Sequence, residues 1–269
     1  MLKLILILLF SLSLHSKDMI MTTSYPLHII NQEVIGNLFE SSSILEAGKA
    51  SKDFEQNTDL MIKLNKVKVL LYSSEINENW IYDLPIKNKI NLTELIPEED
   101  RIFLNETDAE DYFWLDPKTT SVVVENLADT LGKIFPDKAA DLANNASKFL
   151  EKLELIDALL EKNMANTERM PILQEDATLI YFASAYEFPI PFIINEIPEE
   201  DLDYEISSLV ETGVGQILLN EYSRGIDKYK NIIDKYTLDA SYINVYGYKN
   251  KNYYDMMLEV TKIITVLYR

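Results

Sequence analysis

From residue 19 onward, short apolar runs alternate with longer stretches in which apolar residues recur every three or four positions. Short continuous runs fit strands buried on both faces, and the three-four recurrence fits helices with one apolar stripe. Strands are predicted at 19–24, 67–72, 171–174, 190–195, 216–219 and 240–245. Helices are predicted at 27–39, 57–64, 118–134, 137–166, 178–186, 202–212, 226–236 and 252–267. Such alternation gives an α/β fold of two lobes, each a mainly parallel sheet flanked by helices. The segment 137–166 stands apart: Leu142, Ala146, Phe149, Leu150, Leu153, Ile156 and Leu160 form one stripe, with no Gly or Pro between Lys138 and Asn166. Thirty helical residues reach roughly 45 Å. The predicted organisation is therefore an N-terminal lobe at 17–136, one long rigid linking helix at 137–166 and a C-terminal lobe at 167–269. A single packed helix is a stiff connector, unlike extended crossings that permit a wide hinge.

Upstream of this pattern, Lys3 precedes an unbroken apolar run from Leu4 to Phe10 that tails off by Leu14. The run is too short for a permanent span and has the shape of a secretory signal peptide at 1–16, placing the mature chain in the periplasm or outside the cell. Leu14 is larger than the residue such cleavage sites prefer, so an uncut anchor is the alternative. No later stretch reaches the apolar length of a membrane helix.

Charge and composition remove whole classes of function. There are 25 Lys+Arg against 44 Asp+Glu, a net charge of −19 that becomes 24 − 44 = −20 once Lys3 is cleaved away. That field repels polyanions, which excludes a nucleic-acid partner. The absence of cysteine excludes disulfides, thiolate metal sites and a lipid-anchored cysteine. Seven glycines, of which Gly213 and Gly215 are the only close pair, leave no phosphate-cradling loop. Trp114-Leu115-Asp116-Pro117 reads as a helix start, with Asp116 as N-cap and Pro117 in the first turn. His28 reads as a structural residue, and the acids between Glu199 and Asp203 as a helix start favoured by the dipole. Tyr242, Tyr246, Tyr248, Tyr253 and Tyr254 can cover a core edge or line a ligand cleft.

Several stretches, in order, resemble one family. These are MTTSYPLHIINQEVIGN from Met21, GKASKDFEQNTDL from Gly48, VKVLLYSSEINENWI from Val67 and DYFWLDPKTTSVVVENLADTL from Asp111 in the first half. In the second half they are YFASAYEF from Tyr181, DLDYEISSLVETGVGQILLNE from Asp201, and YYDMMLEVTKII. Together they resemble the solute-binding proteins of bacterial zinc and manganese ABC importers, the ZnuA/TroA-like family. The resemblance implies an exported protein, expected to be a monomer, that hands a metal ion or other small ligand to a membrane permease. It also implies one ligand from each of four loops, and those positions fall on Lys52, Tyr112, Asp176 (or Glu175 with a one-residue shift) and Asn244, with Glu221 as a possible addition.

This set is poor in metal chemistry. Lys52 has no lone pair while protonated, Tyr112 is a weak donor unless ionised near its ordinary pKa of about 10, and Asn244 offers a neutral carbonyl. No cofactor is certain; zinc or manganese would be held weakly. The residues admit three other outcomes: a solvated, decayed site, a Lys52 ammonium tethered to Asp176 in place of the metal, or a changed ligand. A diverged non-transport binding or adhesion protein on the same scaffold is the alternative function. No motif supports an enzyme.

Overall fold

The computed structural model describes residues 17–73, 75, 77–104, 110–165, 167, 169–247 and 251–268, so the segment 1–16, expected from the sequence to be a signal peptide, lies outside the described residues. Two all-parallel four-stranded sheets form the frame. The first contains β1 (Met19–Thr22), β2 (Glu40–Ser43), β3 (Val67–Tyr72) and β4 (Asn88–Asn91) in the order β2-β1-β3-β4. The second contains β5 (Leu173–Gln174), β6 (Phe192–Ile193), β7 (Gln216–Asn220) and β8 (Asp239–Ile243) in the order β6-β5-β7-β8. Around them lie α1 (Tyr25–Ile35), α2 (Thr58–Leu64), α3 (Pro117–Ile134), α4 (Ala139–Met164), α5 (Ile180–Ala185), α6 (Leu202–Glu211), α7 (Asp227–Tyr236) and α8 (Tyr253–Leu267).

Central strands are apolar on both faces because helices cover both. In β3, Val69 and Leu71 enter the core shared by the two lobes, while Leu70 and Tyr72 enter a separate cluster on the outer face. In β7, Leu218 faces the shared core, and Ile217 and Leu219 face the outer helices. The period of two along a strand makes this division. The two strands that hydropathy does not predict, β2 with sequence ESSS and β4 with sequence NKIN, are the outermost strands of the first sheet. An edge strand meets water along one side and is recruited by backbone pairing, so polar residues suffice there.

The long helix is α4, 26 residues preceded by a 3-10 turn at Pro136–Lys138. Its buried stripe is Leu142, Ala146, Phe149, Leu153, Ile156, Leu160 and Met164, with Leu150 half-buried beside it. Along its length α4 meets the N-terminal lobe, where Asn145 Nδ2 donates to the Val34 carbonyl at 3.1 Å. It also meets α8, through Phe149 set edge-on to Tyr253 at 5.6 Å between ring centres. One continuous apolar core runs from Ile20 and Leu71 past this helix to Leu218 and Ile243. The lobes are joined by packing as well as by the chain.

Local signals place the remaining ends. Asp116 accepts hydrogen bonds from the Lys118 and Thr119 amides, both at 3.0 Å, and starts α3 as an N-cap should. Helix α1 stops earlier than its apolar pattern suggests, at Gly36, which turns the chain at φ 53. A Cβ there would come within 2.8 Å of Asn145 Nδ2, so glycine is needed for the turn and for the approach of α4. Among the described residues no helix is long and apolar enough to cross a membrane.

Candidate functional site

In parallel sheets, ligands bind outside the carboxyl ends of the strands. Here the loops after β2, β3, β5, β6, β7 and β8 converge there, with the 3-10 turn Tyr112–Leu115 that precedes α3. They enclose a cleft of about 740 Å³ whose lining includes Lys52, Trp80, Tyr112, Asp176, Tyr222 and Tyr246.

Asp176 is the polar centre of the cleft. Its Oδ2 accepts from the Tyr112 hydroxyl at 3.0 Å and from Asn220 Nδ2 at 2.8 Å. Its Oδ1 accepts from the Thr178 amide at 3.2 Å and from the Thr178 hydroxyl. Burial nevertheless raises its pKa above the ordinary carboxylate value, which the bonds from Thr178, Tyr112 and Asn220 oppose. Glu175, one residue earlier, points the other way: it accepts from the Asn220 amide at 2.9 Å and the Ser223 hydroxyl at 2.6 Å, clamping the β5 loop to the β7 loop. Both residues lie in the bend that follows β5, and of the two Asp176 lines the cleft. Glu221 is exposed and outside the cleft lining.

Tyr112 reaches Asp176 from the opposite lobe. Its turn is fixed by Trp114, whose Nε1 donates to the Val245 carbonyl at 3.0 Å and whose own carbonyl accepts from the Tyr253 hydroxyl at 3.0 Å. The Tyr112 and Tyr246 hydroxyls lie 3.4 Å apart. Burial first, and then the nearby carboxylates, push both phenols well above their ordinary pKa. They are neutral hydroxyls at physiological pH, not phenolate ligands.

Lys52 sits on the 3-10 turn Ser51–Asp53 after β2. The turn is braced by Asp53, which accepts from the Ala50 amide at 2.9 Å, and by Trp80, whose Nε1 donates to Ser51 Oγ at 2.9 Å. Phe54 stacks flat on Trp80, 3.9 Å between centres. The Lys52 ammonium lines the same cleft as Asp176, but it lies over the Tyr222 ring, 4.4 Å from its centre. Among the described residues it takes part in no ion pair. With donors already on both oxygens of Asp176, the cation is held on an aromatic face instead of against that carboxylate.

Asn244 does not line the cleft. Its Oδ1 accepts from the Tyr246 amide at 3.1 Å, and its amide nitrogen backs onto Gly48, where a Cβ would stand 3.3 Å away. Two residues on, Tyr246 carries the site's contribution from this loop. In the sequence Tyr246 is one member of a tyrosine-rich group, and no motif singles out Tyr222, Asn220 or Asp111. Asp111 is 8 % exposed, and Ser73 Oγ lies 3.5 Å from both Asp111 Oδ2 and Glu78 Oε2. Burial, followed by the charge of Glu78, raises the Asp111 pKa to about 7. His28 is remote from this chemistry, with Nδ1 3.1 Å from Ser41 Oγ and its pKa lowered by burial.

As a metal centre the residue set does not fit. Zinc or manganese needs several lone-pair donors pointed at one point. Among the described residues the cleft instead presents an ammonium, neutral phenols and carboxyl groups of which Asp176 alone, already accepting hydrogen bonds, stands at an implied ligand position. Among the described residues no three His, Cys, Asp or Glu side chains are grouped to hold a metal ion.

The family model described as zinc-uptake complex component A, periplasmic, ZnuA, matches residues 20–266. The chain belongs to the ZnuA family. Among curated relatives, a zinc-binding protein AdcA of Streptococcus pyogenes is 24% identical over 211 residues, 69% of this chain and 41% of that protein. The zinc-binding protein TroA of Treponema pallidum is 24% identical over 103 residues, 38% of this chain and 33% of that protein. This chain thus spans about two-fifths of the AdcA length it matches. The solved structure of periplasmic zinc-binding TroA from Treponema pallidum superposes with a TM-score of 0.79 at 15% identity, covering 93% of this chain and 99% of that one. The Zn(II)-bound ZnuA-like domain of Streptococcus pneumoniae AdcA gives 0.73 at 19% identity, covering 94% and 99%. These likenesses bear out the two-lobed fold with its linking helix. The ZnuA-family match bears out the resemblance read from the sequence.

Proposed function

We propose that this chain is an exported solute-binding protein of the ZnuA type, working with the membrane permease of an ABC importer, whose cleft has lost the family's metal chemistry. The family match and the zinc-binding relatives support the receptor role, and the family's periplasmic description supports export. One observation carries the altered site: Tyr112, at one of the four ligand positions that the resemblance implies, donates its hydroxyl to Asp176 across the lobe boundary. A group that donates to the remaining carboxylate occupies the place of one that would have donated a lone pair to a metal. Lys52, at another of those positions, adds a positive charge to the same cleft. The protein is a receptor in this reading, with no catalytic step.

Titration calorimetry of the mature protein with zinc and with manganese tests the proposal. Neither ion is expected to bind at micromolar concentration. Lys52→His combined with Tyr112→His supplies two imidazoles and is expected to raise zinc affinity at least about tenfold, equivalent to about 1.4 kcal/mol. Nanomolar zinc binding by the wild-type cleft would overturn the reading.

A further inference from the structure

A site that no longer suits a metal still has a volume, a charge and a wall chemistry. Its 740 Å³ lies within the range of about 300–1,000 Å³ typical of pockets for organic ligands. Among the described residues, four carboxyl side chains line it, those of Glu110, Asp111, Asp176 and Glu196, against one cation, Lys52. The chain's net charge of −19 places the cleft in a negative field overall, which draws cations and repels anions. Its walls are aromatic on both sides of the lobe boundary. Trp80, stacked on Phe54, comes from the N-terminal lobe, and Tyr222, 5.9 Å from Tyr246 between ring centres, comes from the C-terminal lobe. Aromatic faces combined with carboxylates recognise ammonium groups.

The chain supplies its own demonstration. Lys52 Nζ stands 4.4 Å from the centre of the Tyr222 ring, within the distance at which a ring face attracts a cation. Tyr222 is 37% exposed, and Lys52 belongs to a loop that crosses from the other lobe. The ammonium therefore occupies a position that an incoming ammonium could take.

We propose that the cleft binds an organic ammonium ion, held between the aromatic walls and the lining carboxylates, with Lys52 as an internal competitor for the Tyr222 face. This inference rests on the altered-site reading above, because a bound metal would claim Asp176. It names a ligand class that this reading leaves open. An inorganic cation is a poor match for a cleft of this size whose central carboxylate, Asp176, is already hydrogen-bonded, whereas a ligand with a carbon frame can use the aromatic surface as well as the charge.

The test is titration calorimetry on the mature protein with choline, putrescine and spermidine, with dimethylbutanol as the neutral isostere of choline, glucose as a neutral sugar and zinc in a separate arm. At least one ammonium probe is expected to bind with Kd below about 1 mM, and the neutral compounds more than about tenfold more weakly. Lys52→Ala uncovers the ring and removes a like charge, so it is expected to tighten that binding about fivefold, whereas an anionic ligand would be weakened by the same change. Tyr222→Leu is expected to weaken it about fivefold. Circular dichroism establishes that both variants are folded. No ammonium binding by wild type or Lys52→Ala up to about 10 mM, equal binding of a neutral compound, or weaker binding in Lys52→Ala would each overturn the inference. The zinc arm separates the two failures: nanomolar zinc overturns the altered-site reading, while absent zinc together with absent ammonium binding overturns only the ligand class.

Discussion

Tyr112→Phe removes the hydroxyl that joins the lobes at the centre of the cleft, bonded to Asp176 and 3.4 Å from the Tyr246 hydroxyl. The tyrosine is 7% exposed, and its hydroxyl donates to Asp176 Oδ2 at 3.0 Å. A buried hydrogen bond to a charged group contributes about 1.5–3 kcal/mol. Phenylalanine keeps the ring, its packing and its edge-on contact with Trp114, whose centre is 5.5 Å away. Asp176 would retain Asn220 Nδ2 and the two Thr178 donors, so its desolvation is only partly uncovered and the lower half of the range applies. The expected loss is therefore about 2 kcal/mol in urea unfolding at neutral pH, with an unchanged denaturant slope. Combining Tyr112→Phe with Asp176→Asn in a double-mutant cycle is expected to give a coupling of about 1 kcal/mol, since the two groups are in direct contact. A Tyr112→Phe protein within about 0.5 kcal/mol of wild type, with coupling near zero, would refute the claim that this bond holds the lobes together at the cleft.

Two further outcomes follow from the core and from the buried acid. Phe149→Ala, in a side chain 1% exposed between α4 and Tyr253, is expected to cost about 3–5 kcal/mol in chemical unfolding, and a loss under about 1 kcal/mol would contradict a continuous core between the lobes. Asp111 titrates at about 7 in the folded protein against an ordinary 3.8. Between those values the folded state holds a proton that the unfolded chain has released, so this group's contribution to stability falls as pH rises. The full shift of about 3 units sets an upper bound of about 4 kcal/mol. Asp111→Asn keeps the neutral form at every pH, and is expected to be more stable than wild type by about 2–3 kcal/mol near pH 8, with the advantage gone by about pH 4. Denaturation curves across that interval decide it, and a difference that does not change with pH would be the contrary result.

What the sequence determined by itself is the part of the fold written in burial. The strand VKVLLY occupies Val67–Tyr72, the range its apolar run predicts, because a central parallel strand is covered on both faces. The unbroken stripe of α4 and the Asp116 cap are equally local, since a 3.6-residue period and an orphan amide need no distant partner to be recognised. The polar edge strands β2 and β4 were not legible, because backbone pairing with a neighbour, and not their own side chains, makes them strands. At the site, family register located the loops of Lys52, Tyr112 and Asp176. Only the tertiary structure decided which side chain each loop presents. Tyr112 meets a residue 64 positions away and lies beside another 134 positions away. Asn244 gives way to Tyr246 because its own turn consumes its side chain, and Lys52 settles on Tyr222 while other groups bond Asp176. Turn geometry acts over two or three residues, but it takes effect in a cleft only when separate loops arrive together, and a linear pattern carries no record of that meeting.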